Sequence, residues 1–226
     1  PVARDEAGSV IYGANGEPMP MYYDYNGTKY AFTGGDAIYE DVNHDGSIDQ
    51  YDVVYLGSSL PKLTGGFGFR LFYKGWSLNA QFNYRYGNKI ANVARMRAEN
   101  MHGADNQSTA VNYRWRKEGD GANGGHVLPR ALYGQGYNWM GSDRFVEDGS
   151  FLRLNYLQFS YGFDSKLIKR IGLSRLNLYV SGENLFCLTK YSGVDPEVNY
   201  GDMGVTKDEA ITPRAKSFTF GLTATF

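Results

Sequence analysis

Residues 217 to 226 read Ser-Phe-Thr-Phe-Gly-Leu-Thr-Ala-Thr-Phe, an unbroken alternation of apolar and small polar side chains that closes on an aromatic. Side chains of a β-strand point alternately to opposite faces, so Phe218, Phe220, Leu222, Ala224 and Phe226 share one face while Ser217, Thr219, Gly221, Thr223 and Thr225 share the other. A strand built this way needs apolar matter on one side and water on the other. Trp76 to Tyr86 repeats the pattern more cleanly. Trp76, Leu78, Ala80, Phe82, Tyr84 and Tyr86 fall on one face, and Ser77, Asn79, Gln81, Asn83 and Arg85 on the other.

Alternation with aromatic and β-branched content predicts five strands, at about Gly66 to Tyr73, Trp76 to Tyr86, Phe151 to Phe163, Ser174 to Asn184 and Ser217 to Phe226. No helix pattern competes with them. In the third strand the apolar set changes parity, from Leu152, Leu154 and Tyr156 to Leu157, Phe159, Tyr161 and Phe163, so a β-bulge is expected near Tyr156. Short and long links alternate. Lys74-Gly75 and Asp164 to Leu173 are short, whereas 87–150 and 185–216 are long, so the long loops should leave one end of the sheet and the short ones the other.

That polarity, together with strands longer than the usual soluble length of about five or six residues, points to an antiparallel transmembrane β-barrel. Residues 1–65 are then expected outside the membrane, with 66–226 supplying about five barrel strands and the loops 87–150 and 185–216. The polar faces would line a lumen through Asn79, Gln81, Asn83, Arg85, Asn177, Tyr179, Ser181 and Glu183, whose amides, hydroxyls and charges suit a polar solute. Five strands cannot close a large barrel, and open edges are costly in hydrocarbon. The chain is therefore expected to be the C-terminal piece of a longer protein, or of a barrel that another chain completes. A soluble β-sandwich is the competing architecture, because its strands alternate in the same way.

With 15% aromatic residues and a formal net charge of -1, the chain matches neither a disordered acidic segment nor a basic nucleic-acid binder. It lacks an apolar run of about 18 residues, which excludes a transmembrane helix within it but not a barrel. Cys187 is the single cysteine, so it is read as structural. The chain opens on Pro1 without an initiator methionine, so any targeting segment is expected to lie outside it.

The strongest chemical motif is Asp41-Val-Asn-His-Asp-Gly-Ser-Ile-Asp-Gln-Tyr-Asp52. Its oxygen ligands fall at positions 1, 3, 5, 7, 9 and 12 of a twelve-residue calcium loop, with glycine at position 6. Asp41, Asn43, Asp45, Asp49 and Asp52 would offer side-chain oxygens and Ser47 its backbone carbonyl. The shorter closing Asp52, and the β-branched Val53-Val54 where an exit helix would start, argue for a static structural Ca2+ site over a sensor. A metal-free Asx-rich turn is the alternative.

Trp115, Tyr133, Tyr137 and Trp139 lie among Gly, Asn and Arg residues in the long link, a mixture that suits sugar or peptide binding as well as simple packing of an ordered loop. His44, His102 and His126 are too scattered to predict a metal or catalytic trio. Glu147 and Asp148 are adjacent and would face opposite ways in a strand, a poor start for a glycosidase pair. With no nucleophile elbow, phosphate loop or zinc-protease motif, no enzyme is expected.

Several segments resemble SusC/RagA-family TonB-dependent transporters. They are Gly35-Asp-Ala-Ile-Tyr-Glu-Asp-Val-Asn-His-Asp-Gly-Ser-Ile-Asp49, Leu56-Gly57 with Pro61-Lys62, Asp148-Gly-Ser-Phe-Leu-Arg-Leu154, Ser181-Gly-Glu-Asn-Leu-Phe186 with Thr189-Lys-Tyr191, Gly193-Val-Asp-Pro-Glu197, and Phe226. The resemblance implies a roughly 22-stranded barrel with an N-terminal plug in the outer membrane of a Gram-negative bacterium. It further implies a SusD-like surface lipoprotein as lid, TonB-driven import of oligosaccharides or peptides, and TonB contacts made by regions outside this chain. Where the family's loop usually carries glycine, this sequence has His44, which is not a ligand position. A secreted calcium-binding β-sandwich that recognises glycans, and a surface glycoside hydrolase domain, are the competing functions.

Overall fold

The computed structural model describes residues 1–121, 128–197 and 206–226. The chain divides into two compact units, Pro1–Leu56 with Arg95–Asp143, and Gly57–Ala94 with Arg144–Phe226.

In the first unit, strands β1 (Tyr22–Tyr25) and β2 (Thr28–Ala31) form a hairpin, and β3 (Ser47–Ile48) adds to β1 in parallel. Apolar side chains from distant positions, Ala3, Met21, Phe32, Ile48 and Tyr137, make the core. Tyr137 meets Phe32 edge-on with ring centroids 5.4 Å apart. The buried charge in this unit is well paired. Asp36 accepts from Arg130 Nε (2.6 Å) and Nη2 (3.1 Å), from Asn138 Nδ2 (2.9 Å) and from the Thr33 N–H (2.8 Å). Burial by itself would raise the carboxyl's pKa, but these hydrogen bonds and the Arg130 charge outweigh it and hold it below the ordinary value.

The second unit is built on long strands. In chain order its elements are β4 (Leu63–Tyr73), β5 (Trp76–Tyr86), β6 (Lys89–Asn92), β7 (Val146–Asp148), β8 (Phe151–Gly162), β9 (Arg175–Thr189), β10 (Lys207–Asp208) and β11 (Ser217–Thr225). Five of them form one sheet in the order β11-β9-β8-β5-β4, each neighbour antiparallel. The short strands make a second sheet, β10-β6-β7. Two short helices, α1 (Val93–Glu99) and α2 (Ser165–Ile168), interrupt the links, where the sequence pattern showed no helix. Among the described residues no helix is long and apolar enough to cross a membrane.

All five strands expected from alternation are present, with two differences at their ends. β4 begins three residues early, at Leu63, and β9 runs on to Thr189 instead of ending near Asn184. The expected bulge is there. Pairing of β8 with β5 shifts between Leu154 and Tyr156, and Asn155 is the extra residue. It restores parity, so Leu152 and Leu154 pair with Tyr84 and Phe82 while Leu157 and Phe159 pair with Ala80 and Leu78, all on one face.

That apolar face is open. Phe67, Phe69 and Leu71 of β4 are 54%, 45% and 58% exposed, and Phe218, Phe220 and Leu222 of β11 are 66%, 81% and 63% exposed. In a β-sandwich a second sheet would cover such a face, and among the described residues none does. Aromatic rings gather at the short-link end, where Trp76 packs on Phe159 (4.7 Å) and Tyr161 (4.5 Å), and Tyr161 on Phe163 (4.9 Å).

Candidate functional site

The polar face of the large sheet carries the eight side chains that alternation assigns to it, aligned in rows across the strands. One row reads Arg70, Asn79, Gln158, Ser181, Thr219, and the next Gly68, Gln81, Tyr156, Glu183, Ser217. Nearer the short links, Ser77 and Ser160 share a 2.6 Å hydrogen bond, and Tyr179 lies over Gly221. A Cβ at Gly221 would stand 2.1 Å from that ring, so the close packing of ring on strand requires glycine there. Asn177 pairs with Thr223 further along the same face, and Asn83 and Arg85 lie toward the opposite end.

The rows do not stay parallel. Between the rung of Gln81, Tyr156 and Glu183 and the rung of Phe82, Leu154 and Phe186, β5 advances one residue, β8 two and β9 three. Asn184, at φ 52°, takes up part of the extra length in β9. Successive bulges splay the strands and open a cleft of about 430 Å³ lined by Gln81, Asn155, Tyr156, Glu183, Asn184 and Arg214. The Asn184 amide donates to the Ala215 carbonyl (3.1 Å), fixing one wall, and Tyr156 donates its hydroxyl to Gln158 (2.8 Å).

Beyond the cleft the same face holds a cluster of charges. Arg153, 4% exposed, projects between Asp195 (2.5 Å from Nη2) and Glu197 (2.5 Å from Nε). Asn83 Nδ2 donates to Glu197 at 3.3 Å, Arg214 approaches it at 3.4 Å, and the Arg214 N–H donates to Asp195 at 3.3 Å. A single arginine of β8 thus fixes the segment that follows β9, and with it the approach to β11. Arg153 belongs to the Asp148–Leu154 motif and both carboxylates to Gly193–Glu197, so the ion pairs join the two motifs in the fold. Nearby, Tyr191 donates to the buried Asp208 (2.6 Å), and burial and that carboxylate push its phenol pKa far up.

In the first unit the Asp41–Asp52 loop is closed by its own carboxylates. Asp41 accepts from the N–H groups of Asp45 (3.2 Å) and Gly46 (2.7 Å), and Asp45 accepts from Ser47 (2.8 Å). Asp52 joins the two ends, accepting from Val42 and Asp49 at 2.8 Å each, while Asp49 accepts from Tyr51 (2.7 Å). Gly46 has φ 80°, and Met19 Cε would stand 2.3 Å from any Cβ placed there. Ile48 is buried in the core and Ser47 pairs with Tyr22, so the sheet holds the loop's central part. The all-oxygen donor set of Asp41, Asn43, Asp45, Ser47, Asp49 and Asp52 suits a hard divalent cation. Among the described residues, however, no three carboxylate, imidazole or thiol groups converge into a metal cage.

The four aromatic residues of the long link have different surroundings. Tyr137 and Trp139 are buried, Trp115 stacks against Gly35, and Tyr133 is exposed. His44 sits in the acidic loop at φ 59°, His102 bonds Asn100, and His126 lies outside the described residues. Asn155, Arg153, Asp195, Glu197 and Arg214 are not among the residues that alternation points to, and Tyr156, which it groups with the apolar Leu152 and Leu154, lies instead on the polar face between Gln81 and Glu183, because the extra residue Asn155 shifts it. An arginine within the apolar run Phe151–Leu154 is the signal that marks Arg153.

No family model matches the chain. It is 30% identical over 199 residues to TonB-dependent receptor P3 of Formosa agariphila, covering 85% of this chain and 19% of that receptor. It is 27% identical over 222 residues to the TonB-dependent receptor SusC of Bacteroides thetaiotaomicron, covering 96% of this chain and 18% of that one. The structure of the RagAB peptide transporter superposes with a TM-score of 0.63 at 28% identity, over 75% of this chain and 18% of the transporter chain. The chain thus spans about a fifth of the length of the curated relatives it matches.

Proposed function

This chain belongs to the TonB-dependent receptors of the SusC/RagA kind, and from that premise we propose that it forms one sector of an outer-membrane barrel wall through which a polar solute is imported. The chain is not an enzyme. The observation that carries the proposal is the open apolar face, with side chains as exposed as Phe220 at 81%, opposite a continuous polar face. Water tolerates isolated apolar side chains but not a whole sheet of them, whereas acyl chains suit that face and a lumen suits the other.

Dimensions agree. The eleven residues of β4 and of β5 extend about 34 Å at roughly 3.4 Å per step, or about 24 Å of height at a 45° tilt, close to the ~25 Å apolar band of such barrels. The aromatic rings around Trp76 stand where an interfacial girdle would. Among the described residues β4 and β11 each have one unpaired edge, and the rest of the receptor would supply their neighbours.

In the intact receptor, an oligosaccharide or peptide would be handed over by a SusD-like lipoprotein and admitted with energy delivered by TonB. Residues 1–62 and the links 87–150 and 190–216 would lie on the outer side, where Trp115, Tyr133, Tyr137 and Trp139 would contact solute or support the surface that does. The Asp41–Asp52 loop would hold a structural Ca2+ through Asp41, Asn43, Asp45, Asp49, Asp52 and the Ser47 carbonyl. Purification of the intact receptor, and solute uptake by cells that carry it, test the reading. It should fold only in detergent or lipid and take up solute only while the inner membrane is energised, and a receptor monodisperse and folded in plain buffer would overturn it.

A further inference from the structure

We propose that the cleft opened by the successive bulges recognises the zwitterion of an amino acid or short peptide, with its ammonium on Glu183 and its carboxylate on Arg214. The proposal rests on reading the polar face as the lining of a solute path, and it names the substrate class of that face.

Both kinds of fixed charge needed for such a ligand line the same cleft. Glu183 accepts a hydrogen bond from the Ser217 hydroxyl (3.2 Å), and among the described residues no cation pairs with it. Its carboxylate therefore keeps lone pairs for a ligand's N–H groups. Arg214 is held from behind. Its backbone N–H is fixed by Asp195, while its side chain is 55% exposed and touches Glu197 only at 3.4 Å, which leaves guanidinium donors for a second carboxylate. Glu183 belongs to β9 and Arg214 to the segment leading into β11, so the two charges come from different elements.

The neutral lining agrees with this polarity. Asn155 lines the cleft, and its Oδ1 is buried without a hydrogen-bond partner. Gln81 adds an exposed amide, and Tyr156, its hydroxyl engaged by Gln158, contributes an apolar edge. A neutral sugar could use the amides but would leave both charges without a counter-charge. A free divalent cation would meet the Arg214 guanidinium, and an anionic solute the Glu183 carboxylate. Only a ligand with an ammonium at one end and a carboxylate at the other complements the pair.

The test is calorimetric titration of the intact receptor in detergent with alanyl-alanine, its N-acetyl form, its C-terminal amide, and maltose. Free dipeptide should bind, blocking either end should weaken binding at least tenfold, and maltose should not compete. Glu183→Gln should abolish the penalty for N-acetylation alone, and Arg214→Gln the penalty for amidation alone. Should either variant fail to fold, the blocked ligands on the natural receptor decide the matter by themselves. End-blocked dipeptides that bind as well as the free one, or no dipeptide binding, would overturn the proposal. A receptor that needs detergent and energised uptake yet ignores the ends of the peptide would overturn this site and leave the transport reading intact.

Discussion

Leu157→Arg is the substitution that the two-faced sheet most clearly forbids. Leu157 lies at the middle rung of the apolar face, paired with Ala80 of β5 and Gly182 of β9, in the central strand of the five. Two further rungs of that face lie on each side of it, from Tyr161 and Phe159 to Leu154 and Leu152. If the face meets acyl chains, Leu157 is near mid-membrane, where an arginine costs roughly 2–4 kcal/mol. At 1.36 kcal/mol per tenfold, that lowers the folding constant by about thirty- to nine-hundred-fold. Asn79→Arg is the matched control, since Asn79 lies one residue before Ala80 on the polar face and a lumen-side arginine should cost close to nothing. The assay is reversible urea unfolding of the intact receptor in lipid vesicles, followed by tryptophan fluorescence. Equal and small effects of both substitutions, or greater solubility for Leu157→Arg, would refute the assignment of faces.

Arg153→Met should destabilise the receptor by about 3–5 kcal/mol, because it strands Asp195 and Glu197 without their buried counter-charge; urea titration reads the loss, and a shift below 1 kcal/mol would remove the cluster's structural role. Because Asp36 has a lowered pKa when folded, its contribution to stability is complete above the pH at which the unfolded carboxylate titrates and disappears as pH falls through the folded value. Hydrogen-exchange protection of residues 33–37 and 130–138 should accordingly fall in acid, and Asp36→Asn should weaken it at neutral pH and flatten its pH dependence. If the Asp41–Asp52 loop holds calcium, chelation should lower the receptor's melting temperature and Asp45→Ala should abolish that sensitivity, whereas melting unchanged by either would remove the ion from the account.

Local pattern explains why the large sheet is legible in the sequence and its cleft is not. Strand alternation is a nearest-neighbour signal, so Trp76–Tyr86 announces both its faces, and the parity switch from Leu154 to Leu157 announces the bulge that Asn155 makes. The bulge in β9 is harder to see. Three steps separate Glu183 from Phe186, Asn184 takes a positive φ, and the broken alternation looks like the end of a strand although pairing resumes as far as Thr189. The partners of Arg153 are 42 and 44 residues away in the chain, a distance across which no periodicity operates. The short strands β6, β7 and β10 owe their existence to one another and carry no alternation of their own. In the acidic loop the ligand spacing is plain from the sequence, while the hydrogen bonds that occupy its carboxylates depend on backbone geometry.

Spin labelling along β5 reports which face of the sheet meets lipid. Single nitroxides at positions 77 to 85 of the intact receptor in lipid vesicles would be probed in turn with oxygen, which concentrates in acyl chains, and with a water-soluble nickel complex. The two-faced wall predicts an alternation of period two, with oxygen collisions highest at 78, 80, 82 and 84 and low nickel access there, as the register of β5 with β4 and β8 requires. Nickel access that is high at 78, 80, 82 and 84 would place the apolar face in water and contradict the account.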